Sequence, residues 1–336
     1  MTKIICIGSA CKDIFFPTNE GIVVDTPDDL TAQKKISFEL GAKYKIKDRF
    51  ESLGGVAANV ACGLAKMGVS SGSYAMIGND VSGDWIKRQF EKNGVNAELV
   101  VTERDYPSDM SSIVVDIKSG DRVIFSNQKA NGELKINPED LKRSEWVYIG
   151  DLAGDWMSKL DKIFEAGTRV AYNPRYTFIR ENVRKTIESL KRADVLFINK
   201  DESIEIISSV VRDAPAERLY SEDDLNDEIF LIKKLHELGA KVIALTDGER
   251  GAWAYDGKNI FHAEARKVAA IDSTGAGDAF SSGFLAGYIK GESLEDCLRR
   301  GIVNGAGVVQ AYGGVAGLLS EDEIENAAKD IKIEVL

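Results

Sequence analysis

Short apolar runs alternate with amphipathic stretches along most of the chain. The apolar runs are rich in β-branched residues and several end in glycine, a pattern typical of buried strands. The predicted strands are Lys3–Gly8, Ser73–Ile77, Trp146–Ile149, Arg169–Tyr172, Val195–Ile198 and Val242–Thr246. The predicted helices between them include Val81–Asn93, Met157–Ala166, Arg180–Lys191 and Leu225–Leu238. This alternation predicts an α/β fold with a doubly wound, mainly parallel sheet flanked by helices, and ligands at the carboxyl ends of the strands.

Two stretches interrupt the alternation. Residues 112–117 and 122–126 alternate in polarity around a Lys-Ser-Gly-Asp turn, which predicts a β-hairpin. Residues 16–47 contain further extended pieces, at 21–24, 35–40 and 43–46, and no long helix. We expect both stretches to form a small β-sheet lid over an active site, although a surface decoration or a dimerisation arm fits the same pattern. The predicted domains are a core of residues 1–13, 51–110 and 135–336 and a lid of residues 14–50 and 111–134.

Composition narrows the class of partner. The 336 residues carry a net charge of −11, which disfavours nucleic acid and anionic membranes, because both are polyanions. No apolar run approaches the roughly 20 residues of a membrane span, and the N-terminus reads as a strand rather than a signal peptide. The four cysteines form no Cys-x-x-Cys pair, and only two histidines occur, so neither disulfides nor a zinc site are expected. These features predict a cytoplasmic protein.

The strongest chemical signal is Asp272–Phe280, with the sequence DSTGAGDAF. An amphipathic helical pattern follows it, so residues 275–277 form a small-residue loop at a helix N-terminus. There, backbone N–H groups and the helix dipole can hold an anion. The carboxylate of Asp278, beside a bound phosphate, would accept a proton from an incoming hydroxyl. The plainer interpretation is a glycine-rich turn followed by a helix-favouring aspartate. The segment is neither a Walker A loop nor a dinucleotide-binding fingerprint.

A second signal is the run of residues 54–68, in which two glycines lead into an apolar-faced helix that ends at Gly68. Asn59 lies one turn into this helix among alanines. It either offers a donor and an acceptor to ligand hydroxyls or is simply exposed to solvent.

Polar residues also follow three of the predicted strands. Asp13 comes just after the first strand, where a carboxylate can accept hydrogen bonds from two vicinal hydroxyls. Asn199 and Glu202 follow another strand as a candidate Mg²⁺-water and phosphate-side pair. Residues 245–252 leave a strand through a glycine-rich turn and enter a second predicted hairpin, at 252–256 and 259–263. Each segment is equally compatible with an ordinary connecting loop, but all lie where a doubly wound sheet builds its site.

Together these segments resemble the ribokinase-like (PfkB-type) family of carbohydrate kinases over about residues 3–319. The resemblance rests mainly on GGVAAN at 54–59 and DSTGAGD at 272–278. It implies ATP and Mg²⁺, transfer of the γ-phosphate to a hydroxyl, and a small β lid that often forms a homodimer interface.

The resemblance also implies residue roles. Asp278 would be the general base, with an anion hole formed by Gly275, Ala276 and Gly277. The acceptor would contact Asp13, Gly54, Gly55, Asn59 and Asn131, the last in a segment similar to the end of the family's lid hairpin. The nucleotide side would comprise Asn199, Thr246, Gly248, Gly251 and Asn304. Glu202 would act on Mg²⁺ through water, and Asp272 would help bind a monovalent cation such as K⁺ if the protein is potassium-activated.

Departures from the family pattern bear on the acceptor. Val56 and Ala57 stand where ribokinase itself has Lys-Gly, which disfavours ribose. Asp13 and Gly54 are 41 positions apart, a spacing closer to adenosine-kinase-like members. In contrast, Asn173-Pro-Arg175 resembles a motif of sugar-kinase branches. The N-terminal Asn-Pro of phosphosugar kinases is missing, so a neutral sugar or a nucleoside is favoured over a phosphosugar.

The predicted function is therefore an ATP-dependent kinase acting on a hydroxyl of a small sugar-like substrate. A nucleoside (adenosine-like) kinase is the first alternative. A non-catalytic ligand-binding protein of the same fold is the second. A Rossmann oxidoreductase fits worst, because no G-x-G-x-x-G follows the first strand.

Overall fold

The computed structural model describes residues 2–26, 34–212 and 220–336. Its strands are β1 (Ile4–Ile7), β2 (Cys11–Thr18), β3 (Ile22–Asp25), β4 (Lys34–Ser37), β5 (Phe50–Gly54), β6 (Ser71–Tyr74), β7 (Met76–Gly78), β8 (Val101–Glu103), β9 (Met110–Asp116), β10 (Arg122–Asn127), β11 (Trp146–Ile149), β12 (Arg169–Tyr172), β13 (Val195–Asn199), β14 (Val242–Thr246), β15 (Ala252–Tyr255), β16 (Ile260–Ala263) and β17 (Glu334–Val335). Its helices are α1 (Val56–Lys66), α2 (Val81–Lys92), α3 (Lys129–Glu133), α4 (Pro138–Leu141), α5 (Trp156–Glu165), α6 (Tyr176–Glu181), α7 (Val183–Leu190), α8 (Lys200–Arg212), α9 (Glu222–Asn226), α10 (Glu228–Glu237), α11 (Ala276–Lys290), α12 (Leu294–Val308) and α13 (Glu321–Ala328).

The central sheet has nine strands within the described residues, in the order β17-β16-β15-β14-β13-β12-β11-β1-β6. The six strands from β14 to β6 are mutually parallel, and β15 to β17 extend the sheet antiparallel. This confirms the predicted mainly parallel α/β fold. Because the parallel strands all point the same way, the loops that follow them converge at one edge.

Both faces of the central sheet are buried, which explains the continuous apolar runs. Ile4 and Cys6 of β1 pack with α1, α11 and α12, whereas Ile5 and Ile7 pack on the opposite side with α5, α8 and α10. The sheet is therefore a rigid layer from which the site loops extend.

A second sheet of four strands, in the order β10-β9-β2-β5, lies apart from the central one. It contains the predicted hairpin, now β9 and β10, paired antiparallel. The extended pieces predicted at 21–24 and 35–40 become β3 and β4, which pair with each other as a separate hairpin. Residues 43–46 form no strand, and residues 27–33 of the predicted lid lie outside the described residues. The division into a core and a lid stays a prediction.

Two predicted helices are interrupted. The pattern over Arg180–Lys191 contains α6 and α7, because the Asn182 side chain accepts a hydrogen bond from the Lys185 N–H (3.0 Å) and starts a new helix. The pattern over Leu225–Leu238 similarly divides into α9 and α10 at Asp227, whose carboxylate caps the Ile229 N–H at 2.9 Å.

The four cysteines are buried free thiols. Among the described helices, none has both the length and the apolar character needed to cross a bilayer.

Candidate active site

The N-terminus of α11 is open towards a ligand. Gly275 precedes it with a φ of 78°, and a side chain at Gly275 would overlap the backbone of Gly314. No side chain within the described residues caps this helix end, and Gly277 has free space beside its Cα. The first N–H groups of α11 therefore form an uncapped anion cradle.

Asp278 lies in the first turn of α11 and is buried, with 8% of its surface exposed. Its Oδ2 accepts a hydrogen bond from Asn59 Nδ2 at 2.9 Å. Burial raises the pKa of Asp278 to about 6, against the opposing effects of Arg175 and of the Asn59 hydrogen bond. The charges of Asp151 and Asp13 raise it further. A carboxyl group poised in this way can act as a base near neutral pH.

The diglycine before α1 is required by close contacts. A side chain at Gly54 would overlap the Asp13 carboxylate, and Gly55, with a φ of 99°, passes against the Ser9 carbonyl. These contacts bring Asp13 and α1 together. The Oδ1 of Asn59, which is 4% exposed, has no hydrogen-bond partner among the described residues, so it can accept a ligand hydroxyl.

Asp13 lies in β2 of the four-stranded sheet and is buried. The Cys11 thiol donates a hydrogen bond to its Oδ1 at 3.2 Å. Burial raises its pKa, and the nearby charges of Asp151 and Asp272 add to this rise. The charge of Asp13 in turn raises the pKa of Asp278, so the two carboxylates share one electrostatic environment.

Asp151 was missed by sequence reasoning. It follows β11 after one glycine, the same strand-end signal that marked Asp13. Its carboxylate accepts hydrogen bonds from the Ser9 N–H at 3.2 Å, from the Ser9 hydroxyl and from Gln128 Nε2 at 3.2 Å. The backbone carbonyl of Asp151 accepts Asn131 Nδ2 at 3.3 Å. Asn131 Oδ1 is buried without a partner among the described residues.

Arg175 is a half-buried cation at the start of α6, after β12. Burial alone would lower its pKa, but the carboxylates of Asp278, Asp151 and Glu202 outweigh this and raise it. Sequence reasoning identified Arg175 only as part of a branch motif. The structure brings it into the electrostatic environment of Asp278.

Asn199 and Glu202 form a reciprocal pair at the end of β13. The Glu202 N–H donates to Asn199 Oδ1 at 2.8 Å, and the Asn199 N–H donates to Glu202 Oε2 at 3.2 Å. Burial raises the pKa of Glu202 to about 7, although Arg175 and the Asn199 N–H lower it. No group of three or more His, Cys, Asp or Glu side chains in the described part of the chain is arranged to hold a metal ion. A single carboxylate is enough for a Mg²⁺ site, because Mg²⁺ takes most of its ligands from water and from substrate phosphates.

The glycine-rich turn after β14 lies beside this pair. Thr246 pairs in register with Asn199 across β13 and β14. Gly251 has a φ of 92° and passes against the Ala263 carbonyl, whereas Gly248, with a φ of 47°, faces open space. The turn therefore exposes backbone at the same edge of the sheet.

Asp272 organises the loop before α11. Its Oδ1 accepts the Thr274 N–H at 3.0 Å and the Thr274 hydroxyl at 2.7 Å, and its Oδ2 accepts the Gly313 N–H at 3.1 Å. The carboxylate is fully buried. A contact with a monovalent cation stays a prediction.

Asn304 is fully buried within the helix pair. Its Nδ2 donates to the Ala279 carbonyl at 2.8 Å and to Ser282 Oγ at 3.1 Å, and its Oδ1 accepts the Leu319 N–H at 3.0 Å. The Nδ2 end thus holds α12 against α11, and the Oδ1 end holds α12 to the segment before α13. This geometry gives Asn304 a positioning role in the core, and its contact with a nucleotide stays a prediction.

A cavity of about 530 Å³ opens along α12. Its lining includes Val268, Val303, Ala306, Gln310 and Leu319. The helix α12 that lines the cavity packs against α11. The size of the cavity falls within the range of small-ligand sites.

The four-stranded sheet contacts the loop before α11 and the segment after α12. Arg122 of β10 donates a hydrogen bond to the Ser273 hydroxyl. On the other side, Phe50 of β5 stacks on Tyr312 with ring centroids 4.5 Å apart, next to the Gly313 that binds Asp272. The small sheet and the phosphate side of the site are therefore in direct contact.

Comparison with known proteins agrees with this geometry. Residues 1–321 match the model of the pfkB family carbohydrate kinases. A cytidine kinase of Thermococcus kodakarensis is 30% identical over 270 residues, covering 77% of this chain and 88% of the relative. An ATP-dependent 6-phosphofructokinase of Thermoanaerobacterium thermosaccharolyticum is 28% identical over 331 residues, covering 93% and 97%. The crystal structure of a nucleoside kinase of Methanocaldococcus jannaschii, a member of the ribokinase family, shares the fold with a TM-score of 0.74 at 24% identity over 98% of each chain. The chain therefore belongs to the pfkB family of carbohydrate kinases and is a phosphotransferase with an alcohol group as acceptor.

Proposed function

We propose that the protein transfers the γ-phosphate of ATP to a hydroxyl of a small, uncharged, sugar-like acceptor, with Asp278 as general base. One observation carries the proposal: a buried carboxylate with a pKa near 6 lies within one turn of an uncapped helix N-terminus. A base and an anion cradle at this spacing suit in-line phosphoryl transfer.

On the phosphate side, the N–H groups of residues 275–277 would hold the transferring group. Arg175 supplies a positive charge to the same environment, so it would offset charge that builds up on the phosphoryl oxygens. Asn199 and Glu202 would orient Mg²⁺ through its bound water. When bound, Mg²⁺ supplies neutralisation of the phosphate charge.

We assign the base of the nucleotide to the cavity along α12. Its walls combine apolar side chains such as Val303 and Ala306 with polar ones such as Gln310, which suits an aromatic base with polar edges. The turn with Thr246, Gly248 and Gly251 would bring backbone groups to the phosphates. Asn304 would contribute by fixing α12.

On the acceptor side, the groups available are oxygen acceptors. Asp13 and Asp151 carry carboxylates, and Asn59 and Asn131 each carry a buried Oδ1 without a partner among the described residues. Such groups bind hydroxyl donors. Because several carboxylates surround this region, a neutral polyhydroxy compound is favoured over a phosphosugar.

A nucleoside acceptor is the second candidate. Two observations favour it: the 30% identity to a cytidine kinase and the long segment between Asp13 and Gly54. The ribose of a nucleoside presents the same vicinal hydroxyls to Asp13, so only the remainder of the acceptor distinguishes the two.

The test is an ADP-release assay with ATP and Mg²⁺ over neutral sugars, phosphosugars and nucleosides, with and without K⁺. We expect turnover with a neutral sugar or a nucleoside. Turnover with phosphosugars alone would contradict the proposed acceptor class. Saturable binding without any ADP release would favour a non-catalytic protein of this fold.

Asp278→Asn tests the general base. We expect a fall in kcat of about 10²- to 10⁴-fold with little change in ATP binding, because the amide keeps the shape but cannot take the proton. The matched control is Asp84→Asn, an exposed aspartate in the first turn of α2. Near-normal turnover of Asp278→Asn would remove Asp278 as the base.

We further propose that the four-stranded sheet is the lid and that two copies of the protein meet through it. Side chains of β10 expose apolar surface, among them Phe125 at 64% and Ile124 at 46%. Exposed apolar strands of this kind are typical of interfaces.

A further inference from the structure

The short helix α3 is held at both ends by buried charged side chains. It has five residues, too few to be stable alone, and it connects β10 of the small sheet to the core. It also carries Asn131. The position of Asn131 therefore depends on what holds α3.

At the N-terminal end of α3, the clamp is Asp109, which is 1% exposed. Its Oδ1 accepts the Ala130 N–H at 2.9 Å and its Oδ2 accepts the Asn131 N–H at 3.2 Å. The preceding residue is fixed as well, because the Ser108 N–H donates to Asp80 Oδ2 at 2.8 Å. Asp109 is thus anchored to the cap of α2.

At the C-terminal end, the clamp is Lys159 of α5, which is 7% exposed. Its Nζ donates to the carbonyls of Asn131 at 3.1 Å, Gly132 at 2.8 Å and Ala153 at 2.7 Å. Within the described ranges, no carboxylate lies at ion-pair distance from this ammonium group. Lys159 therefore directs its hydrogen bonds to backbone, and it ties α3 to the loop that contains Asp151.

We propose that Asp109 and Lys159 are positioning residues, which clamp α3 so that the buried Oδ1 of Asn131 accepts a hydroxyl of the acceptor. This rests on the acceptor role proposed above for Asn131. The orientation of the amide is set by its other end, because Asn131 Nδ2 donates to the Asp151 carbonyl at 3.3 Å. Oδ1 is then the atom left to meet a ligand.

The charges of the clamp are disfavoured by their surroundings. Burial raises the pKa of Asp109 to about 7 and lowers that of Lys159 to about 8. An apolar pair would fill the same space without this desolvation. Unlike apolar side chains, Asp109 and Lys159 form directional hydrogen bonds to the two ends of the five-residue helix α3. A role in packing alone would not require such bonds.

The kinetic test compares Lys159→Met, Asn131→Ala and the double variant, using whichever of ribose, fructose, cytidine and fructose 6-phosphate the wild-type enzyme phosphorylates. We expect each single variant to raise the acceptor KM about tenfold with the ATP KM unchanged, as for one misplaced hydrogen bond. The double variant should equal Asn131→Ala, because both changes act through one amide. Lys159→Arg should restore most of the loss. Additive effects in the double variant would overturn the proposal.

The matched control is Lys162→Met, the same change at an exposed position of α5; it should leave KM and kcat unaltered. A second measurement does not depend on turnover. Hydrogen exchange in residues 128–134 should quicken in Lys159→Met and Asp109→Asn but not in Lys162→Met. Unchanged exchange there would refute the clamp even if no acceptor is phosphorylated. Faster exchange together with an inactive wild-type enzyme would support the clamp and contradict the proposed function.

Discussion

The carboxylate of Asp278 occupies a position in which burial opposes its charge. Desolvation raises its pKa to about 6, although the charge of Arg175 and the hydrogen bond from Asn59 lower it. The result is a group that is mostly ionised at pH 7 yet more basic than an exposed aspartate. As the pH rises and Asp278 ionises, activity should therefore increase while the stability of the folded state decreases.

The pH dependence of kcat/KM should show this ionisation. We expect activity to be lost as the pH falls through about 6, because protonated Asp278 cannot accept a proton from the acceptor. Asp151→Asn removes a nearby negative charge, so this limb should move to lower pH. The measurement is a pH–rate profile of both proteins under subsaturating acceptor. An acidic limb near the ordinary aspartate value of 3.8 would contradict the assignment.

Stability should change in the opposite sense. Because the folded pKa of Asp278 lies above its unfolded value of 3.8, the folded state binds more protons between these values, and stability falls as the pH rises through that window. At pH 8, Asp278→Asn should therefore raise the free energy of unfolding by about 2 kcal/mol. At pH 4 most of the gain should vanish. Urea unfolding at both pH values, with Asp84→Asn alongside, measures this; an equal gain at both would refute it.

Only part of the site could be predicted from sequence at this scale. Asp13, Asn59 and Asp278 follow strands or open helices in recognisable motifs, and the structure brings them together. Asp109 and Lys159 carry no such signal, since their roles depend on backbone groups 21 and more residues away. The internal hydrogen bonds of Asn304 could not be predicted either, because they depend on the packing of its amide within the core.

At the scale of the element, we expect the two glycines at the start of α11 to have different roles: one is needed for the fold and the other for phosphate binding. Gly275 needs a positive φ and meets Gly314, whereas Gly277 has ordinary helical geometry and open space beside it. That space is where the transferring phosphate would lie.

Two alanine substitutions should therefore behave differently. Gly277→Ala should keep the melting temperature yet lower kcat/KM for ATP about tenfold or more, because its methyl group enters the anion cradle. Gly275→Ala should lower the melting temperature as well, because alanine is strained at positive φ and overlaps Gly314. Thermal unfolding and ATP kinetics on both variants measure the difference. Full activity of Gly277→Ala would argue against phosphate binding at this loop.

The elements themselves were predicted well where burial decides them. The strands at Trp146–Ile149, Arg169–Tyr172 and Val242–Thr246 have the predicted bounds. The interruptions at Asn182 and Asp227 were missed, because apolar periodicity continues across a polar cap. The second predicted hairpin is present as β15 and β16. Its pairing with the edge of the central sheet, and the addition of β17, depend on contacts that periodicity does not reveal.

At the scale of the whole molecule, the small sheet joins two functions. It carries Asp13 on β2, it contacts the loop before α11 through Arg122, and its Phe50 stacks on Tyr312. Movement of this sheet would therefore alter the acceptor side and the phosphate side together. A site built in this way can exclude water once both ligands are in place.

The proposed dimer can be tested on the outer surface of the same sheet. Phe125→Glu should convert a dimer to a monomer in light scattering after gel filtration, because it places a charge in an apolar interface. Val81→Glu is the control, since Val81 is 83% exposed at the start of α2 in the core. A wild-type protein that is monomeric at all concentrations, or a Phe125→Glu dimer, would contradict the interface.

The contact between Gly54 and Asp13 also limits how this enzyme can diversify. Any side chain at Gly54 displaces the carboxylate that we assign to the acceptor hydroxyls, and any at Gly55 meets the Ser9 backbone. A change of acceptor preference therefore cannot come from substitutions at these two glycines. It has to come from substitutions in the neighbouring strands and loops. A library intended to change substrate preference should keep the diglycine and vary residues 35–50, where the side chains are mostly exposed and the core does not restrict them.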